Sequence, residues 1–136
     1  MRILIVEDNA LLAFMLEESL AEAGHEPLGP VPDVQSALRI IESAEPQLAL
    51  VDINLEGEAS GLELGRELSQ RSIPFFYATG QAAMAHREGT HALGVIPKPF
   101  APEIIVELAQ AMERIINDES GVVFPRQIEM FDRSGR

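Results

Sequence analysis

The chain has no cysteine and no tryptophan, and no apolar run in it approaches the length needed to cross a bilayer. The missing cysteine excludes disulfides and thiolate metal sites. The start of the chain, residues 1–8, lacks a small-residue cleavage site and reaches acidic residues after a short apolar stretch. We therefore expect residues 1–8 to form a strand rather than a signal peptide, and we expect a cytoplasmic protein.

Basic residues are also scarce: 10 Lys and Arg stand against 22 Asp and Glu, which gives a net charge of −12. Nonspecific nucleic-acid binding depends on neutralising phosphates with Lys and Arg, so we expect no contact with DNA or RNA. Three histidines, at positions 25, 86 and 91, lack the spacing of metal ligands and are interpreted as solvated surface residues. Most of the acidic residues are expected to serve solubility.

Apolar runs that do not alternate with polar residues predict strands buried on both faces of a parallel sheet. Such runs lie at 3–6, 48–51, 74–78 and 94–97, and a proline-containing stretch at 26–31 suits a sheet edge. Amphipathic helices are predicted between and after them, at 10–23, 34–44, 61–71, 81–92 and 102–117. This alternation, repeated five times in 136 residues, predicts one doubly wound α/β domain of three layers. We place the domain at 1–118 and a C-terminal tail at 119–136, too short for an output domain.

Polar residues follow each central strand at the point where it ends. Glu7-Asp8, Asp52, Thr79-Gly80 and Lys98 stand at these places. Because the carboxyl ends of parallel strands meet at one sheet edge, these side chains should lie together. Grouped carboxylates suit Mg²⁺, and a carboxylate can act as a nucleophile toward phosphorus. The sequence therefore predicts phosphoryl-transfer chemistry centred on Asp52.

The same residues, followed by Pro99-Phe100, resemble in order and spacing the receiver domain of two-component response regulators. The resemblance covers about residues 2–117. It implies a flavodoxin-like (βα)5 fold with a five-stranded parallel sheet in the order 2-1-3-4-5. It also implies a phosphoprotein that signals in a phosphorelay, and not an enzyme that turns over a separate substrate.

Residue roles follow from the resemblance. Asp52 would accept a phosphoryl group from a histidine kinase or a histidine phosphotransfer protein. Asp8, Asp52 and the backbone carbonyl of Asn54 would hold Mg²⁺ or Mn²⁺, with Glu7 acting through water. Lys98 would pair with the phosphoryl group, and the Lys98–Pro99 peptide bond would be cis.

The switch region departs from the usual receiver pattern. Thr79 would be the switch hydroxyl, but the aromatic residue usual three positions before the lysine is Val95 here. Tyr77 lies on the same side of its strand as Thr79 and is the candidate substitute. The string Tyr77-Ala-Thr-Gly80 resembles an aromatic-Ala-Thr-Gly subgroup that occurs as single domains or attached to sensor kinases. The loop after Asp52 also looks one residue longer than usual.

Two other functions stay open at this point. A pseudo-receiver would bind partners without phosphorylation, and the altered loop and Val95 favour it slightly. A phosphohydrolase with an aspartyl-phosphate intermediate would normally show Asp-x-Asp after the first strand, where this chain has Glu7-Asp8-Asn9. For the receiver we expect a downstream protein target, no membrane contact, and a homodimer through the fourth and fifth helices. The sequence identifies neither kinase nor target.

Overall fold

Strands and helices alternate along the chain, as the sequence predicts. The computed structural model describes residues 1–57 and 59–131, so the last five residues of the predicted tail lie outside the described residues. The elements are β1 (Arg2–Val6), α1 (Ala10–Glu22), β2 (Glu26–Val31), α2 (Val34–Ala44), β3 (Leu48–Val51), α3 (Gly61–Gln70), β4 (Phe75–Thr79), α4 (Ala82–Glu88), β5 (Gly94–Pro97), α5 (Pro102–Ile116) and β6 (Glu129–Met130).

The sheet confirms the predicted order and adds one strand to it. Its order is β2-β1-β3-β4-β5-β6, with the first five strands parallel. The expected five-stranded sheet is therefore corrected to six, because residues 129–130 of the tail return antiparallel to β5. A lone two-residue strand gives too little periodicity for sequence analysis to detect.

Two apolar cores, one on each face of the sheet, make the three layers. Strand residues alternate between the faces, so Leu4 and Val6 contribute to one core and Ile3 and Ile5 to the other. Helices α2, α3 and α4 cover the first face, and α1 and α5 cover the second. None of the described helices is long and apolar enough to cross a membrane.

Capping residues set the helix starts near where the sequence places them. Asn9 accepts a hydrogen bond from the Leu12 amide, and Asp33 accepts one from the Ser36 amide at 2.8 Å. The fourth helix is shorter than predicted and ends at Glu88, because Gly89 closes it. The interpretation of His25 as solvated is wrong: it is 8% exposed, and its Nδ1 lies 3.2 Å from the N-terminal amine.

Gly61 fixes the path of the loop that follows β3. A Cβ built on it would lie 2.0 Å from the Asp52 carbonyl oxygen and 2.7 Å from the Ile53 Cα. These atoms belong to the backbone and cannot rotate away. The Gly61 amide donates to the Ile53 carbonyl at 2.8 Å, which closes the loop onto the end of β3. Only glycine permits this approach.

We predict that Gly61→Ala lowers the free energy of unfolding by about 2–3 kcal/mol, because the added methyl must displace the backbone at Asp52. Urea denaturation of both proteins measures it. Gly80→Ala is the matched control, since a Cβ there meets nothing within 4 Å. Equal midpoints for the Gly61→Ala variant and the unchanged protein would contradict the packing argument.

Candidate functional site

The carboxyl ends of the parallel strands meet at one edge of the sheet, as predicted. The register pairs Val6 with Val51, Val51 with Tyr77, and Thr79 with Pro97. The residues that follow these strand ends are therefore neighbours across the sheet. Backbone hydrogen bonds continue the ladder past the strands, from the Asp52 amide to the Val6 carbonyl and from the Lys98 amide to the Thr79 carbonyl.

Lys98 joins two buried carboxylates at the centre of this edge. Its Nζ lies 2.8 Å from Glu7 Oε1 and 2.8 Å from Asp52 Oδ2. Glu7 and Asp52 are each 5% exposed. Charge-assisted hydrogen bonds of this length are the strong kind, and they fix all three side chains. The Lys98–Pro99 peptide bond is cis, as the resemblance implies.

Strand alternation explains why Lys98 meets Glu7 rather than Asp8. Ile3, Ile5 and then Glu7 share one side of the chain, and Leu48, Leu50 and then Asp52 share the same face of the sheet, as do Ile96 and Lys98. All three polar side chains thus continue the face covered by α1 and α5. The resemblance implies for Glu7 only a role through water, whereas its carboxylate also forms a direct ion pair with Lys98 that the period of two along each strand could have indicated.

Both oxygens of the Asp52 carboxylate are engaged. Oδ2 accepts from Lys98, and Oδ1 accepts a hydrogen bond from the Asn54 amide at 3.2 Å. Because Asn54 is only two residues away, this second bond also holds the start of the loop. The carboxylate is therefore held in one orientation at the mouth of the site.

Three carboxylates form a cluster that fits a divalent cation. Single oxygens of Glu7, Asp8 and Asp52 all lie within 4.8 Å of one another, and Asp8 is exposed. Ligand oxygens on opposite sides of one Mg²⁺ lie about 4 Å apart, so small side-chain rotations bring these oxygens into range. Hard oxygen donors are the ligands that Mg²⁺ prefers.

Burial and ion pairing change the pKa values of Glu7 and Lys98. Burial raises the pKa of Glu7, and the hydrogen bonds from Lys98 and the Asn9 amide oppose that rise only in part. Burial disfavours the charged form of Lys98, but its bonds to Asp52 and Glu7 outweigh burial and raise its pKa. Folding thus favours protonated Glu7, and that contribution to stability is lost as pH rises through its raised pKa.

Thr79 and Gly80 end β4 beside this cluster. Thr79 is fully buried, and its hydroxyl oxygen accepts a hydrogen bond from the Gln81 amide at 3.1 Å. Gln81 is the residue before α4. The position of this hydroxyl is thus tied to the start of α4. The space beside Gly80 is open, because a Cβ built there would meet nothing within 4 Å.

Tyr77 lies on the same side of β4 as Thr79, in the core covered by α2, α3 and α4. It is 1% exposed, and its ring meets Phe75 edge-on with centroids 5.3 Å apart. A Cβ at Gly65 of α3 or at Gly89 after α4 would lie 2.1 Å and 2.6 Å from atoms of Tyr77. The ring is therefore enclosed between these two glycines. Burial raises the pKa of Tyr77 to about 12. Its neighbour in β5 is Val95, also fully buried.

Comparison with known proteins identifies a family for most of the chain. The family described as the response regulator receiver domain matches residues 3–110. The two-component response regulator PhoP of Pseudomonas aeruginosa is 34% identical over 128 residues, covering 90% of this chain and 55% of PhoP. The transcriptional regulatory protein PdtaR of Mycobacterium tuberculosis is 31% identical over 120 residues, covering 85% of this chain and 57% of PdtaR. The chain thus spans about half the length of these relatives.

Solved structures agree in fold. The response regulator TrrA of Thermotoga maritima, in complex with Mg²⁺-BeF, has a TM-score of 0.71 at 25% identity and covers 80% of this chain and 96% of its own. A CheY-like receiver domain protein from Methanospirillum hungatei has a TM-score of 0.74 at 24% identity, covering 86% and 96%. The second likeness shows the fold alone.

We predict that Asp8→Asn stabilises the protein in magnesium-free buffer by about 1 kcal/mol. Three clustered carboxylates repel one another, and removing one charge relieves that repulsion. Urea denaturation with and without MgCl₂ checks it, and added Mg²⁺ should stabilise the variant less than the unchanged protein. Asp118→Asn, just beyond the end of α5, is the control. If Mg²⁺ stabilised the variant and the unchanged protein equally, Asp8 would not be a ligand of the cation.

Proposed function

The chain belongs to the response regulator receiver domain family, and from this we propose that Asp52 accepts a phosphoryl group from a histidine kinase or a histidine phosphotransfer protein. The observation that carries the proposal is the buried Asp52 carboxylate, held by Lys98 at 2.8 Å beside an acidic cluster. Because this carboxylate is already held in one orientation, its attack on phosphorus costs less conformational entropy.

The proposed transfer moves one group between two nucleophiles. An oxygen of Asp52 forms a bond to phosphorus while the bond from phosphorus to the donor imidazole nitrogen breaks. The imidazole keeps the electron pair and takes up a proton. Lys98, already within hydrogen-bond distance of Asp52, then pairs with a phosphoryl oxygen and offsets the new charge. Phosphoryl transfer asks the protein mainly for such positioning and charge neutralisation.

Mg²⁺, or Mn²⁺ in its place, would neutralise charge on the phosphoryl oxygens when bound. We assign its direct protein ligands to Asp8, Asp52 and the backbone carbonyl of Asn54. We assign Glu7 a contribution through water, as the family resemblance implies. Exposed Asp8 leaves the cluster accessible from solvent.

We assign Thr79 as the switch hydroxyl. The Thr79 oxygen accepts a hydrogen bond from the amide of Gln81, the residue that precedes α4, and the same hydroxyl can donate its proton to a phosphoryl oxygen. Movement of the hydroxyl toward that oxygen would pull on the Gln81 amide, shift the start of α4 and bias two arrangements of the surface around it. Signalling would then occur through contact with a downstream protein target.

Tyr77 and Val95 support membership of the aromatic-Ala-Thr-Gly subgroup. Val95 is not aromatic and cannot act as the usual switch residue. The Tyr77 side chain instead lies against Gly65 of α3 through its hydroxyl and against Gly89 after α4 through its ring. A movement of α4 would therefore change the surroundings of the Tyr77 ring. We propose that Tyr77 packing, and not an aromatic residue at 95, reports phosphorylation.

The protein would act as a signalling phosphoprotein in the cytoplasm, with self-catalysed transfer and slow autodephosphorylation as its only chemistry. A homodimer through α4 and α5 is also part of this proposal. The pseudo-receiver alternative is not favoured, because the acceptor, the acidic cluster and the lysine are all in place. The phosphohydrolase alternative expects Asp-x-Asp after β1, where this chain has Glu7-Asp8-Asn9 and the Asn9 side chain caps α1.

We predict that incubation with acetyl phosphate and Mg²⁺ adds one phosphoryl group, measured by intact mass, and that Asp52→Asn abolishes the addition. Asp118→Asn is the matched control, because its left-handed backbone (φ 59°) tolerates asparagine and it lies far along the chain from the acceptor. Phosphorylation that persists in Asp52→Asn would overturn the acceptor assignment.

We also predict that beryllofluoride with Mg²⁺ shifts the Tyr77 ring resonances in NMR spectra. Thr79→Ala should bind the same complex yet shift these resonances much less, because it lacks the hydroxyl that links the site to Gln81. Unchanged Tyr77 resonances in the unchanged protein would refute its reporting role. Equal shifts in Thr79→Ala would refute the role of Thr79.

A further inference from the structure

The described part of the tail covers the β5 edge of the sheet. After α5 the chain returns so that Glu129 and Met130 pair antiparallel with Val95 and Gly94. The Phe131 amide donates to the Leu93 carbonyl at 2.9 Å, which extends the pairing by one residue. Without this segment, β5 would present unpaired backbone groups, as the edge strand of any open sheet does.

Gly94 provides the space for this contact. A Cβ built on Gly94 would lie 2.5 Å from the Glu129 carbonyl oxygen and 3.1 Å from the Met130 Cα. The three nearest atoms all belong to the tail backbone. No positive φ requires glycine at this position. The glycine is therefore explained by the strand that docks on it.

Side chains from the tail reach both faces of the sheet. Ile128 is 6% exposed and joins the core under α1 and α5, whereas Phe131 packs on the opposite core. The Phe131 ring meets His86 of α4 edge-on at 5.0 Å between centroids. The Nε2 atom of His86 lies 2.6 Å from Glu129 Oε1. The edge thus accepts an aliphatic, an acidic and an aromatic side chain at fixed spacing.

The backbone pairing of the tail is short, so its docking depends mainly on the side chains of Ile128 and Phe131 and can be released by changing them. The strand has two residues, and the His86 and Glu129 side chains are about half exposed, so their pair adds little stability. The opposite edge, β2, is closed permanently by Pro27 and Pro30, which lack the N–H that a further strand needs. Of the two edges of the described sheet, β5 is the one without prolines that would prevent pairing with another strand.

We propose that the β5 edge beside α4 is a docking site for an extended segment of a partner protein, with residues 124–131 as its built-in competitor. The partner segment would pair antiparallel with β5 and carry an aliphatic residue, then an acidic one, then an aromatic one two positions later, as at 128, 129 and 131. His86 and Arg87 in the last turn of α4 favour the acidic residue. A net charge of −12 opposes a second copy of the chain as the occupant. Docking at this edge needs no phosphoryl group, so its test is independent of the test for phosphorylation of Asp52.

A labelled peptide with the sequence of residues 124–131 tests this on the full chain by fluorescence anisotropy. Glu129→Gln with Phe131→Ala is the tail-released variant, and Ile128→Ala is a second way to release the tail. We expect either variant to bind the peptide at least about tenfold more tightly than the unchanged protein, because the tethered tail competes at high effective concentration. Faster exchange of the residue-131 amide would verify release.

Adding Gly94→Ala to a released variant is the matched control, because its methyl occupies the place of the docked strand. It should abolish peptide binding while leaving circular dichroism of the domain unchanged. Peptide binding that is equal in released and unchanged proteins, or that survives Gly94→Ala, would overturn the docking site. Dimerisation of a released variant that Gly94→Ala abolishes would identify a second copy as the occupant and overturn the partner assignment.

Discussion

One ammonium group holds the site together: Lys98 bridges the buried carboxylates of Glu7 and Asp52, each at 2.8 Å. Two like charges this far from solvent would repel and lose hydration, and the lysine offsets part of both costs. The bridge also connects the carboxyl ends of three strands that lie far apart along the chain. A fold that failed to bring β1, β3 and β5 into register would leave one of these charges buried without a partner.

The parallel sheet supplies this register through its backbone hydrogen bonds and its apolar side chains. Alternating residues of β1 and β3 build cores on both faces, and the same alternation sets which polar side chains face each other beyond the strand ends. Gly61 then presses the following loop against the Asp52 carbonyl. The acceptor is therefore positioned by packing that has no chemical role of its own, which is why the site and the fold cannot be varied independently.

Much of this was predictable from sequence. Unbroken apolar runs located the strands, and the polar residues after them located the cluster, because both follow from local chemistry. The direct pair of Glu7 with Lys98, the burial of His25 and the return of residues 129–130 to β5 depend on contacts between distant segments, which a single sequence does not display. The alternation along β1 and β5 already places Glu7 on the side of Ile5 and Lys98 on the side of Ile96. This predicts a contact between Glu7 and Lys98 only once the strand order is known.

The prolines of β2 have a consequence for assembly size. Two of the six residues in this edge strand have no N–H, and a bulge interrupts its register with β1. A continuous stack of copies needs two edges that can pair on every copy. Because β2 lacks the donors for pairing, copies of this chain can join through their β5 sides in pairs, and a stack that repeats β2 against β5 is disfavoured.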